Sequence, residues 1–175
     1  MTTKYVFGLD GEGRSDLVFQ EDISNLPSFG PGFHGMDLWL NRETPADMTA
    51  PEDPVQGKPM VHEPPDGGAI FRVLDFMPGR QSAEDMLATH QNLQSVHVPV
   101  HMEALKDPTM HKTDTLNYFC LLSGELWALS EKTDVLLRPG DVMIQKGCMH
   151  GWRNDGNEPA RLICVLVDAH PIEAA

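Results

Sequence analysis

The stretch MHKTDTLNYFCLLSGEL, residues 110 to 126, carries side chains whose type and spacing suit chemistry. His111 is followed at alternate positions by Thr113, Thr115 and Asn117. Because alternate residues of a β-strand point to the same face, these side chains can all line the inside of a barrel. An imidazole ordinarily titrates near neutral pH, which suits proton transfer. The pattern predicts a polar pocket in which His111 is catalytic and Thr113 and Asn117 orient a substrate.

A second stretch, QKGCMHGWRN at residues 145 to 154, contains His150, the other candidate for general acid or base catalysis. Cys148 lies two residues before this histidine and could be a reactive thiol beside an imidazole. With no third group to orient the pair, a small residue that fills a turn is the simpler interpretation. Tyr118 and Trp152 are interpreted as packing or rim residues that offer ring surfaces to an aromatic or other flat apolar substrate.

Residues 110 to 168 show the pattern of short β-strands joined by tight turns. The candidate strands are YFCLL, ELWAL, DVLL, DVMIQ and RLICVLV. The segments between them contain the glycine, proline, asparagine and aspartate residues that turns require. In the turn RPGD, Gly140 can take a positive φ and Asp141 can accept a hydrogen bond from the turn backbone. This spacing predicts an all-β sandwich or barrel.

Two strands and one helix are predicted upstream of residue 110. The strands are MDLWL at residues 36 to 40 and AIFRVLDF at residues 69 to 76. The helix covers residues 82 to 94, where Ser82 can cap the amino terminus and acidic residues occupy the first turn. We therefore expect one short helix in a chain that is otherwise β.

The first 68 residues lack the regular strand pattern of the rest. Residues 49 to 68 are dense in proline and glycine, which indicates a loop that runs over the surface. We expect residues 1 to 68 to form an amino-terminal arm and surface loops, and residues 69 to 175 to form the barrel. The apolar segment at residues 36 to 40 could pack between two copies, so a homodimer is expected.

Composition and charge limit the classes of protein. The chain has 175 residues, 41% of them hydrophobic, which is enough for one well-buried domain. A formal net charge of -13 would repel a phosphate backbone, so no nucleic acid is expected as a partner. No apolar run approaches the roughly 18 residues that span a bilayer, and no signal segment is recognised. We therefore expect no membrane partner and a cytoplasmic location, which the odd number of cysteines also favours.

Residues 110 to 168 resemble the small single-domain cupins of bacteria and fungi. The string typical of that family reads MHRTDTVDY, SGE, LRPGD and VQRGT.HAWRN, and here it stands as MHKTDTLNY, LSGELWAL, LLRPGD and MIQKGCMHGWRN. The upstream segments LWLNRETPADM and FRVLDFMPG are also similar to that subgroup. The resemblance implies a cupin jelly-roll barrel with an amino-terminal arm and one short helix. It implies no single activity, because one barrel hosts isomerases, oxygenases, decarboxylases, epimerases and binding proteins.

The resemblance also implies where a metal would bind. Metal-binding cupins resemble the pattern H-x-H-x(3,4)-E-x(6)-G, which here places ligands at His111, Thr113 and Asn117. A second motif supplies His150, with QKG in place of the P-x-G of that motif. Threonine and asparagine are weak neutral oxygen donors. The implied cofactor is therefore none, or a divalent metal bound weakly by His111 and His150.

Three further histidines could supply a missing ligand. The segment HVPVH places His97 and His101 on one face of an extended stretch, and His90 lies on the predicted helix. Histidines in such positions are more often solvated or paired with acidic neighbours. Both interpretations remain open from the sequence.

Two classes of function fit these residues. The first is a metal-independent enzyme, such as an isomerase or dehydratase, that acts on a small cyclic or aromatic molecule with His111 or His150 as general acid or base. Its metal-dependent variant is a dioxygenase with an extra ligand from the loops. The second class is a binding protein whose pocket holds a metabolite without turning it over. The chain has no DNA-binding module, which argues against a transcription factor.

Overall fold

The structure is a computed structural model that describes residues 2–50 and 52–172. Strands dominate these residues: β1 Thr3–Leu9, β2 Ser15–Asp22, β3 Ser28–Gly30, β4 Phe33–Asn41, β5 Ala69–Phe76, β6 Thr115–Ser123, β7 Leu126–Ser130, β8 Val135–Leu137, β9 Val142–Lys146, β10 His150–Arg153 and β11 Ala160–Asp168. The helix α1 covers Ala83–Asn92, and a short 3-10 helix covers Met102–Ala104. Within the described ranges, no helix has the length and apolar character needed to cross a membrane.

Two antiparallel sheets face each other and enclose the core. The large sheet has the order β3-β4-β5-β11-β6-β9, and the small sheet has the order β10-β7-β8. Phe119 of β6 and Trp152 of β10 meet edge to face across the gap, with 5.0 Å between ring centroids. The strands that the turn pattern predicts between residues 110 and 168 are all present. Gly140 has a φ of 93°, and Asp141 accepts a hydrogen bond from the Arg138 amide, as expected of that turn.

The predicted strand at residues 36 to 40 lies within β4. This strand pairs along its length with β5, so it extends the large sheet. β1 and β2 form a separate hairpin outside both sheets. The sequence pattern missed β1, β2, β3 and the four-residue strand β10. Part of the segment expected to form an arm is therefore a regular strand of the large sheet.

Buried Arg72 of β5 fixes the loop that follows β4. Its guanidinium lies 2.9 Å from Asp37 Oδ1 and donates to the backbone oxygens of Val61 and His62, the latter at 3.1 Å. Burial raises the pKa of the Asp37 carboxyl, against the opposing charge of Arg72. The His62 amide donates to the Leu93 carbonyl at 3.0 Å, just beyond α1. The backbone of His62 is thus held from both sides.

The helix α1 begins where the sequence indicates. The Ser82 hydroxyl accepts from the Asp85 amide, and the Asp85 carboxylate accepts from the Ser82 amide. This capping box satisfies amides that would otherwise lack partners in the first turn. On the face of the helix toward the barrel, Thr89 and His90 are buried. The helix therefore presents one imidazole to the interior.

Replacing Leu121 by alanine tests how β6 faces the core. Leu121 is fully buried between the sheets, whereas the next residue, Leu122, points outward and is 46% exposed. We expect Leu121→Ala to lower the free energy of unfolding by about 2–5 kcal/mol, because apolar contact is lost and a cavity remains. The matched variant Leu122→Ala should cost under about 1 kcal/mol. Urea denaturation measures both, and equal losses would contradict this orientation of β6.

Candidate functional site

An internal cavity lies between the two sheets and α1. Its volume is about 90 Å³. An engineered apolar cavity of about 150 Å³ binds benzene, so a bound molecule here is limited to about one small ring unless side chains move. Most of the lining surface is apolar, and large apolar side chains contribute to it: Phe33, Leu74, Phe76, Met77, Met86, Leu93, Phe119, Trp152 and Leu166. The cavity therefore suits a small and largely apolar organic molecule.

His111 and His150 form a pair on the polar wall of this cavity. Their backbones exchange two hydrogen bonds, His111 N to His150 O at 2.7 Å and His150 N to His111 O at 2.9 Å. The ring centroids are 4.3 Å apart. Thr113, Asn117 and Trp152 line the same cavity. The structure thus brings together five of the six residues singled out from the sequence.

The sixth residue, Tyr118, does not line the cavity with the other five, and its role in substrate binding stays a prediction. Its side chain lies on the outer face of β6 and is 44% exposed. The neighbours Asn117 and Phe119 are buried and point inward. Side chains alternate between the two faces of a strand, so Asn117 and Tyr118 cannot both face the cavity.

Two more histidines line the cavity. His62 comes from the loop after β4, and its ring centroid is 5.0 Å from that of His111 and 5.3 Å from that of His90. His90 comes from α1, with 5.6 Å between its ring centroid and that of His111. The sequence offered His90 as an alternative ligand, but His62 stands alone in a proline-rich loop and carries no local signal.

The other two candidate histidines lie at the surface. His101 is 82% exposed at its side chain and faces Glu103. His97 places Nδ1 3.0 Å from Glu63 Oε2 and Nε2 3.4 Å from Asp114 Oδ2. Glu63 in turn accepts from His62 Nδ1 at 3.1 Å. Both surface histidines therefore pair with acidic neighbours rather than line the cavity.

Backbone carbonyls fix the protonation of the central pair. His111 Nδ1 lies 2.9 Å from the Thr109 oxygen, and His150 Nδ1 lies 3.0 Å from the Cys148 oxygen. A carbonyl oxygen can only accept, so each Nδ1 carries the proton. In the neutral rings, both Nε2 atoms then carry an unshared electron pair. The pair can accept a proton or a hydrogen bond from a molecule in the cavity.

Two successive hydrogen bonds, which also end at a backbone carbonyl, orient the amide of Asn117. Gln145 Nε2 donates to the Cys148 oxygen at 3.2 Å, which turns Gln145 Oε1 toward Asn117. Asn117 Nδ2 donates to that oxygen at 2.8 Å. Asn117 Oδ1 is buried and has no hydrogen-bond partner among the described residues. Asn117 thus presents an acceptor, while its donor is used within the protein.

Burial keeps the imidazoles of His90, His111 and His150 neutral. It holds the pKa of His111 well below its usual range, with the neighbouring charge of His150 acting in the same direction. Burial also lowers the pKa of His150 to about 4. The pKa of His90 is lowered to about 4, mainly by burial and further by His62. At neutral pH these three rings are therefore uncharged.

The ligand positions implied by the motif do not fit a tightly bound metal. The Thr113 hydroxyl is 2.7 Å from the Thr115 hydroxyl and is used in that bond. The Asn117 amide is bound to Gln145 and offers one neutral oxygen. In residues 2–50 and 52–172, no three His, Cys, Asp or Glu side chains are arranged to hold a metal ion. Of the motif positions, only His111 and His150 offer imidazoles, where catalytic zinc sites generally have three protein ligands.

The chain is similar to fungal proteins over most of its length. It is 26% identical over 174 residues to the cupin-domain-containing oxidoreductase srdB of Neurospora crassa, covering 97% of this chain and 74% of the relative. It is 26% identical over 180 residues to the cupin-domain-containing oxidoreductase virC of Hypocrea virens, covering 98% and 78%. Phomopsin biosynthesis cluster protein C' of Diaporthe leptostromiformis is 28% identical over 136 residues, which cover 74% of this chain and only 58% of that relative. No protein-family model matches the chain.

A solved structure shares the architecture. The cupin domain of Schizosaccharomyces pombe Cnp3 matches with a TM-score of 0.50 at 14% identity, covering 96% of this chain and 88% of that domain. At this identity the likeness shows the fold alone. Together with the two facing sheets and the single short α-helix, it confirms the all-β jelly-roll barrel expected from the sequence.

The free energy of unfolding should fall as pH is lowered from 7 to 5. The pKa of His150 is about 4 in the folded chain, against an ordinary value of 6.5. Between these values the unfolded chain binds protons that the folded chain does not. The contribution of His150 to the free energy of unfolding is therefore fully present above about pH 6.5. It is lost as pH falls toward 4, and its size is on the order of 3 kcal/mol. Urea denaturation at a series of pH values measures this dependence.

His150→Asn isolates the contribution of that imidazole. The variant removes the titrating ring. The slope of the unfolding free energy against pH should therefore fall by the contribution of about one bound proton. His101→Asn is the matched control, because His101 is exposed and its replacement should leave the slope unchanged. An unchanged slope in His150→Asn would show that this imidazole is not held neutral by the fold.

Proposed function

We propose a function for this chain from its site rather than from its fold, because the cupin jelly roll supports many unrelated activities. We propose an enzyme that moves a proton on a small, largely apolar organic molecule. The observation that carries the proposal is the His111–His150 pair, with both Nδ1 atoms bound to carbonyls on the wall of an apolar cavity. The isomerase and dehydratase types of reaction expected from the sequence both fit this pair.

The chemistry needs no oxidant. One Nε2 accepts a proton from a carbon of the substrate, and the electron pair of the broken C–H bond forms a new C=C bond. In an isomerisation, an existing double bond shifts and the proton returns at another carbon. In a dehydration, the neighbouring carbon loses its hydroxyl group, which leaves as water with a proton. An imidazole with a lowered pKa is a weak base but a strong acid once protonated, so it returns the proton readily.

A second candidate is the metal-dependent dioxygenase considered from the sequence, for which the names of two relatives support the broader class of oxidoreductase. Both srdB and virC are cupin-domain-containing oxidoreductases. Such a site would need ligands beyond His111 and His150, and the imidazoles nearest to them are those of His62 and His90. A binding protein without turnover is the third candidate, supported by the cavity with its aromatic lining.

Deuterium labelling separates these candidates without a known substrate. A metabolite extract is incubated in D₂O with the protein and analysed by mass spectrometry. Proton transfer predicts a metabolite that gains one deuterium or loses water in the presence of the wild type and of His101→Asn. His111→Asn and His150→Asn should slow this change by at least about tenfold, as expected for loss of a general acid or base. Loss of two hydrogens or gain of oxygen would favour the oxidoreductase, and retention of an unchanged metabolite would favour the binding protein.

The metal content gives an independent test. We expect weak, substoichiometric divalent metal in protein purified without added ions, because the motif positions supply only two good nitrogen donors. Elemental analysis of the wild type and of His150→Ala measures it. About one equivalent of iron, manganese, nickel or zinc per chain, lost in His150→Ala, would contradict the metal-independent reaction.

We also propose a homodimer, on a different surface from the one the sequence suggested. Residues 36 to 40 are paired within the large sheet. The hairpin β1–β2 instead exposes apolar side chains, including Phe7 at 70%. Light scattering at micromolar concentration should give about twice 19.4 kDa. A monomer at all concentrations would contradict this assembly.

A further inference from the structure

We infer that the molecule bound in the cavity is neutral and presents hydroxyl or amino hydrogens to the polar wall. The inference deepens the proposed function by naming the class of ligand that the same cavity takes. It is carried by the buried polar atoms of the cavity that have no partner among the described residues: three of these four atoms can accept a hydrogen bond, and the Nε2 atoms of His111 and His150 add two more acceptors.

The acceptors come from separate elements of the fold. His111 and His150 each offer Nε2, since their Nδ1 protons are given to carbonyl oxygens. Asn117 offers Oδ1, which is buried and has no partner in the described part of the chain. Its orientation follows from the order Asn117 to Gln145 to Cys148, because the last member is a carbonyl and can only accept. Hydrogen bonds to backbone carbonyls thus hold these three acceptors in one orientation.

Two more cavity residues have buried polar atoms without a partner in the described ranges. They are Oε1 of Gln81 and Nε2 of His90. His90 Nδ1 lies 2.9 Å from the Ser95 hydroxyl, so Nε2 is an acceptor whenever Nδ1 carries the proton. A buried acceptor without a partner costs free energy, and a ligand that donates a hydrogen removes that cost. A ligand that brings only acceptors leaves it in place.

The buried donor that lacks a partner in the cavity does not favour an anion. Arg72 Nε is buried without a partner in the described residues. The charge of its guanidinium is paired with Asp37 at 2.9 Å, and its other nitrogens bind loop carbonyls. A carboxylate in the cavity would therefore meet the electron pairs of His111, His150 and Asn117 without a free cation. Burying such a charge is costly, so carboxylates should bind poorly.

The apolar part of the lining suits one ring. Trp152 packs with Phe76 and Phe119, at ring-centroid distances of 5.6 and 5.0 Å. Phe33 extends this group, 5.6 Å from Phe76. The cavity volume of about 90 Å³ is smaller than the roughly 150 Å³ that holds benzene in an engineered cavity, so a single ring with one donor group binds with some movement of the lining side chains. Phenol is the simplest probe of this class.

Matched probes test the inference on the full chain. The probes are phenol, aniline, anisole and benzoate, whose rings are alike and whose polar groups differ. Their dissociation constants are measured at pH 7 by NMR titration of the protein, with and without a chelator. We expect phenol and aniline to bind about tenfold more tightly than anisole, the amount that one added hydrogen bond supplies, and benzoate to bind least.

Two variants assign the preference to named acceptors. His150→Phe and Asn117→Leu each remove one acceptor, so each should reduce the advantage of phenol over anisole while anisole still binds. His101→Asn should leave the advantage unchanged. Either of the first two variants suffices if the other does not fold. Only the dissociation constants of the probes are compared, and deuterium incorporation by these variants plays no part.

The inference is overturned if anisole or benzoate binds as well as phenol, or if no probe binds. It is also overturned if the preference disappears with the chelator, because a metal would then be the partner of the acceptors. Deuterium labelling depends on turnover and uses none of these probes. The class of ligand and the proton-transfer function can therefore fail separately.

Discussion

The carbonyl oxygen of Cys148 is the contact on which the chemistry of the cavity depends. It accepts from His150 Nδ1 and from Gln145 Nε2, at 3.0 and 3.2 Å. The first bond sets the tautomer of His150, and the second sets the amide orientation of Gln145 and, through it, of Asn117. One backbone acceptor therefore determines which polar atoms are free to meet a ligand. The side chain of Cys148, which drew attention in the sequence, adds only a long contact of 4.0 Å between its sulfur and Gln145 Nε2.

Two departures from the metal-binding motif are partners in the structure. Asparagine stands at position 117 where the motif has glutamate, and glutamine stands at position 145 where it has proline. Asn117 and Gln145 lie opposite each other on β6 and β9 and are joined by a hydrogen bond of 2.8 Å. A proline at position 145 has no side-chain oxygen to accept this bond. A glutamate carboxylate at position 117 has no N–H group to donate to Gln145 Oε1. The two changes together replace a charged ligand by an oriented neutral one.

The sequence could predict what depends on local patterns. Strand β5 matches the predicted residues 69 to 76, and Ser82 caps α1 as expected, because alternation and capping involve near neighbours. The same alternation was sufficient to place Tyr118 outside the cavity once Asn117 was placed inside. The cavity wall was less accessible to prediction. His62 reaches it through a loop held by Arg72, a contact between segments that share no local pattern.

The paired backbones of His111 and His150 have a mechanical consequence. Each residue donates its amide to the carbonyl of the other, which is the close pairing of antiparallel strands. The spacing of the two imidazoles is thus set by the main chain, and thermal motion of one segment carries the other with it. The loop after β4 is attached differently, through the Arg72 guanidinium and through one backbone bond from His62 to the end of α1. The rings of His111 and His150 should therefore keep a constant separation even when His62 and His90 shift relative to them.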